Sequence, residues 1–364
     1  MEITKPTLIL DKEICIGNIA FMAAKAKHFR QHFRPHFKTH QSAIIGEWFK
    51  EYEVKAITVS SVSMAKYFAA QGWDDITVAF PMNLLEIEEI NQLATKIILS
   101  LLADNIITLE FLEKNLTSRV GLFIKIDTAY HRAGIAWDNT EEITGLLDFL
   151  SGSSKLEFKG FLTHSGHSYN THSVDEINAV QKDTLFKMSS LKLKYFNRYP
   201  KMIISIGDTP CCSVCEDFAG ADEIRPGNFV FYDLMQYYLG ACNITDIAVS
   251  VACPVVSVNI KRNEFIIYGG AVHFSKESVI DNHGRKIFGI PVIYNQHGWG
   301  KPIEDSYVEK LSQEHGIIKT NPDFIRVIQP GKLIGILPVH SCLTAHQLQN
   351  YYNLEGTKIA EINN

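Results

Sequence analysis

One short segment of the chain, Phe33-Arg-Pro-His-Phe-Lys-Thr-His40, alternates basic and apolar residues. Read as a β-strand with a period of two, it places Arg34, His36 and Lys38 on one face. Adjacent basic groups repel each other unless an anion or a charged ligand lies among them. Lys38 would then be the last inward residue of the strand, where an amine can attack a carbonyl group. The alternative interpretation is an edge strand whose basic side chains are solvated.

Polar residues also follow other strand-like segments of the chain. They form four further groups, which are Lys125-Ile-Asp-Thr-Ala-Tyr-His-Arg-Ala-Gly134, His164-Ser-Gly-His-Ser-Tyr169, Gly207-Asp-Thr-Pro210 and Arg225-Pro-Gly-Asn228. The carboxyl ends of the strands in a parallel barrel meet at one mouth, where catalytic residues are found. A single histidine at a strand end is usually just a hydrogen-bonded loop residue. Five polar groups on the same rim, with Lys38 included, predict an active site there.

The elements that must position these groups alternate along the first two thirds of the chain. Strands are predicted at Thr7–Leu10, Phe33–Lys38, Ala56–Ser60, Ile76–Phe80, Lys96–Ser100, Val120–Asp127, Leu156–His164, Met202–Asp208 and Glu223–Tyr232, and helices at Lys12–Phe29, Ser61–Gln71, Glu86–Leu93, Thr140–Leu150 and Val174–Phe196. About eight alternations of strand and helix are typical of a (β/α)8 barrel. A doubly wound open sheet is the competing architecture, but no G-x-G-x-x-G motif follows an early strand.

The pattern changes after residue 240. Strands are predicted there at Ile247–Ile260, Glu264–Ala271, Val292–Tyr294 and Lys332–Pro338, separated by turns that contain Gly and Pro. Long helical periodicity is absent from this part of the sequence. We therefore expect an α/β barrel domain over residues 1–240 and an all-β domain over residues 241–364. Residues 1–11 are a candidate extra strand of the second domain.

Length, composition and charge narrow the class of protein. A chain of 364 residues with 46% hydrophobic content can bury a large core. The net charge of −5 argues against a nucleic-acid or an anionic-membrane partner. No apolar run reaches the length of a membrane span, and seven cysteines without a secretory signal suggest reduced thiols. We expect a cytoplasmic protein.

His340 and Cys342 lie two residues apart in the predicted all-β domain. On an extended strand they would share one face and could bind one metal ion, and an imidazole with a thiolate favours zinc over magnesium or manganese. The alternative interpretation is a buried thiol beside a turn histidine. The segment Cys211-Cys-Ser-Val-Cys215 has no second pair of Cys or His at zinc-finger spacing, and we interpret it as reduced cysteines.

A lysine, aromatic rings, an arginine and a Gly/Thr loop at one barrel mouth are the groups that pyridoxal phosphate (PLP) requires. Its aldehyde needs a lysine amine, its phosphate needs backbone amides and a hydroxyl, and its ring needs a flat neighbour and a partner for the ring nitrogen. The loops after the last two strands are the usual phosphate site of a barrel. The residue types therefore indicate a PLP enzyme.

The motif Arg34-Pro-His-Phe-Lys-Thr-His40 resembles the lysine motif of the fold-type III PLP enzymes related to D-serine dehydratase and D-threonine aldolase, and the resemblance covers nearly the whole chain. It implies an alanine racemase-like barrel followed by a metal-binding β-domain. The cofactor-binding residues that it implies are Lys38 as the Schiff-base lysine, Arg132 near the phenolic oxygen, His164 against the pyridine ring, Tyr169, Thr209 with Gly227 and Asn228 around the phosphate, and Arg225 facing the pyridine nitrogen. Lys38 and Tyr169 would be the catalytic residues, and His340 and Cys342 the zinc ligands.

The sequence resembles the zinc-dependent D-serine dehydratases most, because these carry the same His-x-Cys pair whereas the aldolases typically have an aspartate at the second position. The resemblance implies a homodimeric lyase that eliminates water from a small D-β-hydroxy amino acid, D-serine being the simplest. A D-threonine aldolase-type lyase, an amino-acid racemase and a single-domain PLP carrier are the alternatives. The segment Lys125-Ile-Asp-Thr128 is more similar to alanine racemases and keeps the racemase alternative open.

Overall fold

The computed structural model describes residues 2–361. The internal contacts of the chain divide it into two compact units. We call residues 20–38 and 46–227 the barrel unit, and residues 2–19, 39–45 and 228–361 the strand-rich unit. The predicted domains also include residue 1 and residues 362–364, which lie outside the described residues, and their boundary at residue 240 stays a prediction.

The elements are numbered along the chain. The strands are β1 (Thr7–Leu10), β2 (His32–Phe33), β3 (Ile57–Val59), β4 (Asp75–Pro81), β5 (Ile98–Ala103), β6 (Val120–Asp127), β7 (Ile135–Ala136), β8 (Leu156–Leu162), β9 (Ile203–Ile206), β10 (Glu223–Ile224), β11 (Val249–Asn259), β12 (Glu264–Tyr268), β13 (Val279–Ile280), β14 (Lys286–Ile287), β15 (Gly289–Asn295), β16 (Gly298–Pro302), β17 (Tyr307–Leu311), β18 (His315–Lys319), β19 (Leu333–Pro338), β20 (Asn350–Asn353) and β21 (Lys358–Glu361). The helices are α1 (Lys12–His28), α2 (Ala43–Lys50), α3 (Val62–Ala70), α4 (Ile87–Ala94), α5 (Ile106–Asn115), α6 (Thr140–Gly152), α7 (Val174–Tyr195), α8 (Thr209–Val214), α9 (Leu234–Tyr238), α10 (Ala271–Phe274), α11 (Phe324–Val327) and α12 (Ser341–Leu348). None of the helices between residues 2 and 361 combines the length and the apolar character that crossing a bilayer requires.

Eight strands of the barrel unit pair side by side in parallel. Their order is β2-β10-β9-β8-β6-β5-β4-β3, and a parallel bridge between His36 and Thr58 joins the two ends of this order. The central strand β6 is buried along nearly its whole length, as expected of a parallel strand that is covered on both faces. The predicted (β/α)8 barrel is therefore confirmed, and the carboxyl ends of its strands surround one mouth.

Most helices of the barrel unit begin at residues that suit a helix N-terminus. The side chains of Ser61, Asn105, Asn139, Ser173 and Asp208 each accept a hydrogen bond from a backbone N–H in the first turn of α3, α5, α6, α7 and α8, respectively. Such a bond satisfies one of the N–H groups that a helix start leaves without a partner. The boundaries between strand-end loops and helices are thus set by single polar residues.

The predicted strand Phe33–Lys38 is wrong in its extent. β2 is only two residues long, and Pro35 just after it has no N–H group to donate to a neighbouring strand. Arg34 forms ion pairs with Asp75 at 2.7 Å and with Glu223 at 2.6 Å. Two carboxylates therefore neutralise the first base of this segment, and no bound anion is needed beside it.

Phe37 shows which way the apolar residues of the same segment point. It is fully buried, and its ring centroid lies 4.9 Å from that of Phe49, 5.0 Å from that of Phe68 and 5.1 Å from that of Trp73. Three aromatic contacts at these distances contribute roughly 0.5–1.5 kcal/mol each beyond the burial of apolar area. These contacts fix the backbone just before Lys38 against buried aromatic residues of the barrel unit.

The strand-rich unit is built on one large sheet. Its order is β16-β15-β19-β11-β1-β20-β21, with β12 paired to β11, β18 to β12 and β17 to β18. β13 and β14 form a separate two-stranded sheet. β1 pairs antiparallel with β11 and parallel with β20. The short helices α9, α10, α11 and α12 lie in the same unit. The unit is thus rich in strands, as predicted, and also contains helices that the sequence pattern did not indicate.

Candidate active site

Lys38 is exposed at the end of the first segment of the barrel unit. Its backbone N–H donates to His36 Nδ1 at 3.3 Å. Burial, and then the charges of Lys38 and Arg225, lower the pKa of His36 well below its usual value. The lysine that the sequence predicts to react therefore lies within electrostatic reach of a neutral imidazole.

His164 follows β8 and is held by one backbone contact. Its Nδ1 lies 2.7 Å from the carbonyl oxygen of Gly207, so Nδ1 carries the proton and donates it. Burial lowers the pKa of His164 well below its usual value, and the charges of Lys125, Lys38 and Arg132 add to this effect, whereas the bond to Gly207 raises it. The barrel unit thus keeps a flat, uncharged ring at this strand end.

Arg132 lies in the loop after β6, with its side chain exposed. Its guanidinium carbon lies 5.0 Å from the centroid of the Tyr130 ring, and the same ring stands edge-on to His164 at 5.7 Å. The Asp127 carboxylate accepts hydrogen bonds from the backbone N–H groups of residues 129–131. The first and last of these residues have φ angles of 108° and 56°, a region that favours glycine. Asp127 and Tyr130, to which the motif assigned no role, therefore shape the arginine loop.

Arg225 is buried, and its guanidinium is fixed by neighbouring strands. Its Nε donates to Ser205 Oγ at 2.6 Å and its Nη2 to the carbonyl oxygen of Thr163. Within residues 2–361 its Nη1 makes no hydrogen bond. Burial lowers the pKa of Arg225 to about 10, although Glu223 and Cys212 act in the opposite direction. The side chain is a rigid cation with one nitrogen still available to a ligand.

The turn from β9 into α8 presents backbone and hydroxyl groups. The Asp208 carboxylate accepts from the N–H of Cys211 at 2.8 Å and from the hydroxyl of Ser168 at 2.9 Å. The backbone N–H of Thr209 donates to the Tyr169 hydroxyl at 3.3 Å. Thr209 Oγ1 is buried and has no hydrogen-bond partner among the described residues. A buried hydroxyl of this kind needs a partner, and a phosphate oxygen would supply one.

Gly227 and Asn228, both predicted to contact the phosphate, fall in different units. Gly227 ends the barrel unit, and Asn228 begins the last segment of the strand-rich unit. Asn228 Nδ2 donates to the Asp233 carboxylate at 2.6 Å and to Ser341 Oγ at 3.1 Å, and it lies 3.5 Å from Cys342 Sγ. The Asn228 side chain thus contacts a predicted metal ligand, and its role towards the phosphate stays a prediction.

Lys125 is a buried amine on β6 to which the sequence assigned no clear role. Burial, and then the charges of Arg225 and Arg132, lower its pKa to about 7. A Cβ atom at Gly134 would lie 2.9 Å from Lys125 Cγ, so a glycine is needed for the lysine stem to pack there. Near neutral pH a substantial fraction of this amine is unprotonated, which makes it a second candidate nucleophile of the barrel unit.

The barrel unit therefore presents each kind of group that PLP needs. It has an amine on Lys38, a neutral ring on His164, a fixed cation on Arg225 and a buried hydroxyl without a partner on Thr209. These residues fit the cofactor by type and by burial. Their individual roles stay predictions.

His340 and Cys342 lie where β19 passes into α12. The expectation that both lie on one extended strand is wrong, because β19 ends at Pro338, His340 is the N-cap of α12 and Cys342 lies in its first turn. The two residues nevertheless lie together at the start of one helix. Burial opposes the charged imidazole, but Cys342 and Glu277 outweigh it and raise the pKa of His340 to about 11.

Two polar side chains lie beside the sulfur of Cys342. Thr39 Oγ1 lies 3.2 Å and Asn228 Nδ2 lies 3.5 Å from Sγ. Within residues 2–361 no group of three or more His, Cys, Asp and Glu side chains could hold an ion. Whether an ion binds at His340 and Cys342 therefore depends on these two side chains, which stay predicted ligands.

Arg132→Ala and His164→Ala are each expected to lower activity about 100-fold, the scale for removing one electrostatic contact at a reacting centre. The stability of the cofactor-free protein should change little. Arg132 is exposed, so its replacement should change the free energy of unfolding by no more than about 0.5 kcal/mol. The single hydrogen bond from His164 to Gly207 contributes about 1 kcal/mol to the same quantity. Thermal unfolding of the apo variants measures this, with His131→Ala as an exposed control. A loss of several kcal/mol would show a structural role instead.

Comparison with known proteins assigns each part of the chain to a family. Residues 13–234 match the family described as "Alanine racemase, N-terminal domain", and residues 248–354 match the "Putative serine dehydratase domain". The chain is 31% identical to the D-serine dehydratase of Dictyostelium discoideum over 381 residues, which cover 96% of this chain and 92% of that protein.

Solved structures share the fold. The D-threo-3-hydroxyaspartate dehydratase from Delftia sp. HT23 superposes with a TM-score of 0.92 at 23% identity, covering 100% of this chain and 98% of the other. A variant of that enzyme with one cysteine replaced by alanine is known in a metal-free form. The D-threonine aldolase from Filomicrobium marinum superposes with a TM-score of 0.79 at 19% identity, covering 97% of this chain and 93% of the other. The predicted alanine racemase-like fold is thus confirmed.

Proposed function

The chain belongs to the family of the alanine racemase N-terminal domain, and a serine dehydratase domain follows that domain in the sequence. From this premise we propose that the protein is a PLP- and zinc-dependent lyase. The substrate is a D-β-hydroxy amino acid that loses water, and D-serine would yield pyruvate and ammonia. The observation that carries the proposal is the position of His340 at the N-cap and of Cys342 in the first turn of the same helix, α12. An imidazole with a thiolate suits zinc, and hydroxide is a poor leaving group without a Lewis acid.

The proposed cofactor site lies in the barrel unit, apart from Asn228. The residues proposed to hold PLP are Lys38, Arg132, His164, Tyr169, Thr209, Arg225, Gly227 and Asn228. Arg225 is permanently charged and would keep a neighbouring ring nitrogen unprotonated, which weakens the ring as an electron sink. The reaction would then depend more on stabilisation of the departing hydroxide by a Lewis acid, and this supports a metal ion at His340 and Cys342.

Two side chains of the barrel unit are the proposed catalytic groups. When bound, PLP supplies an electron sink for the charge at Cα, and zinc supplies a Lewis acid for the departing hydroxyl. Lys38 Nζ takes the proton from the substrate Cα. Tyr169 is the second proposed catalytic group, with a hydroxyl that accepts the backbone N–H of Thr209 at 3.3 Å.

A metal ion has further support in one relative. A cysteine-to-alanine variant of a structurally similar enzyme is known in a metal-free form. In this chain the sulfur of Cys342 lies 3.2 Å from Thr39 Oγ1 and 3.5 Å from Asn228 Nδ2. These contacts suit a thiolate ligand, since hydrogen bonds to a charged group favour that charged form.

The proposal extends to a homodimer in the cytoplasm. The seven cysteines of the chain are free, as expected of a reducing compartment. Large apolar side chains are exposed in the barrel unit, with 56% of Phe80, 91% of Leu85 and 69% of Ile107 accessible. Exposed apolar groups of this kind are typical of an interface, and closed two-fold symmetry is the commonest arrangement for identical chains.

A product assay tests the proposed reaction. The holoenzyme is incubated with D-serine and, separately, with D-threonine, and all released products are identified. We expect pyruvate or 2-oxobutyrate together with ammonia. Glycine and acetaldehyde from D-threonine would show an aldolase, and inversion of the amino acid without ammonia would show a racemase. Either of these results would overturn the dehydratase proposal.

A further inference from the structure

Glu277 makes a short contact with the proposed metal ligand His340. Its Oε2 lies 2.6 Å from His340 Nδ1, and the two side chains are 41% and 25% exposed. A carboxylate can only accept in such a contact, so His340 Nδ1 carries the proton and donates it. In its neutral form the imidazole then has its lone pair on Nε2, on the edge of the ring away from Glu277.

The backbone that carries Glu277 is fixed on the helix that carries the metal ligands. Glu277 N–H donates to Ser275 Oγ at 3.2 Å, and Ser275 N–H donates to the Gln347 side chain of α12 at 3.0 Å. Ser275 has a φ angle of 71°, a conformation that a non-glycine residue adopts only when its surroundings impose it. Upstream, a Cβ atom at Gly270 would lie 2.4 Å from the carbonyl oxygen of Gln313, so the chain passes too close for any larger residue.

We propose that Glu277 is a positioning residue of the metal centre. Its carboxylate holds the proton on Nδ1 of His340 and turns Nε2 towards the ion that Cys342 also binds, and it makes the imidazole a stronger ligand. This inference rests on the proposed function, since it takes His340 and Cys342 as the metal ligands.

Glu277 is not itself a ligand of the same ion. Its oxygen occupies Nδ1 of His340, while the ion would lie at Nε2 on the opposite side of the ring. The same unit contains a second pair of a carboxylate and a histidine, and this pair is not hydrogen-bonded. Glu314 Oε2 lies 3.9 Å from His273 Nε2, which is too far for a hydrogen bond. Glu314 therefore serves as a control for the loss of a carboxylate beside a histidine.

The test is the zinc affinity of the full-length chain, measured by competition with a chromophoric chelator. We expect Glu277→Ala to bind zinc about 10- to 100-fold more weakly than the wild type, the range for partners of metal-bound histidines. Glu277→Gln keeps an acceptor for Nδ1 but loses the charge, so its loss of affinity should be smaller. Glu314→Gln should bind zinc like the wild type.

Two readouts separate positioning from folding. Cobalt substitution should show an altered visible spectrum in Glu277→Ala, because the imidazole is no longer held in one orientation. A purely structural effect would lower the thermal stability and leave the spectrum unchanged. Wild-type zinc affinity in both Glu277 variants would overturn the inference.

The failure of this inference can be told apart from the failure of the proposed function. If His340→Ala and Cys342→Ala lose zinc while the Glu277 variants keep it, only the positioning role is wrong. If His340→Ala and Cys342→Ala bind zinc as tightly as the wild type, the metal pair itself is wrong and the proposed function loses its support.

Discussion

Lys38→Ala is expected to lose the visible absorption of the bound cofactor and to eliminate water from D-serine at least about 1000-fold more slowly than the wild type. The variant loses two functions at once, because the same amine is proposed to attach the cofactor and to take the Cα proton. PLP could still bind through its phosphate, but without a covalent bond to the protein. Absorption spectra and the rate of pyruvate release measure the two losses.

A second lysine is an alternative candidate for the covalent bond to the cofactor. Lys125 is buried in the same unit, and burial with the charges of Arg225 and Arg132 lowers its pKa to about 7. Borohydride reduction of the holoenzyme, followed by peptide mapping, distinguishes the two amines. A label on Lys125, or an absorption band that survives in Lys38→Ala, would move the role to Lys125. Lys96→Ala, an exposed lysine of the barrel unit, controls for the loss of any lysine.

Removal of the metal is expected to abolish D-serine elimination and to leave the cofactor spectrum nearly unchanged. A Lewis acid at the leaving oxygen supplies several kcal/mol of transition-state stabilisation, which corresponds to a loss of about 100-fold or more. The cofactor should stay in place, because its proposed ligands, apart from Asn228, lie in the barrel unit. Dialysis against a chelator, with pyruvate release measured before and after the return of zinc, tests this.

Cys342→Ala should reproduce the effect of the chelator and should not recover with zinc. Cys242→Ala, a partly exposed thiol in the same unit, is the matched control and should keep its activity. Cys342→Asp should shift the metal preference towards harder ions and the reaction towards aldol cleavage. Full elimination by a metal-free protein or by Cys342→Ala would end the dehydratase proposal and favour the racemase.

Local patterns in the sequence determined the barrel. The strand predicted at Val120–Asp127 has these same bounds in the structure, and the helix predicted at Val174–Phe196 is α7, Val174–Tyr195. Both can be read locally because a buried parallel strand is a continuous apolar run and a helix start is marked by its capping residue, here Ser173. Such signals depend only on neighbouring residues in the sequence, so they can be interpreted without knowing the fold.

Tertiary packing determined the secondary structure of segments whose local residue preferences were weak or misleading. α5 begins with two isoleucines and a threonine, β-branched residues that favour strands, and it was not predicted. Asn105 before it was the available signal, since its side chain caps the helix by accepting the N–H of Thr108 at 2.9 Å. His340 and Cys342 were expected to share one face of an extended segment, yet this segment starts a helix whose first N–H, that of Ser341, donates to Asp233 at 2.9 Å.

The sequence by itself also identified the candidate residues of the site, because a lysine motif and a His-x-Cys pair are contiguous in the chain. It could not identify their partners. Glu277 lies 63 residues before the histidine that it contacts, and Asn228 lies 114 residues before Cys342. No local periodicity relates such positions, because their contact exists only after distant strands and helices have packed. The sequence thus determined the residue types of the candidate site, whereas the tertiary structure decided which hydrogen bonds each candidate ligand makes.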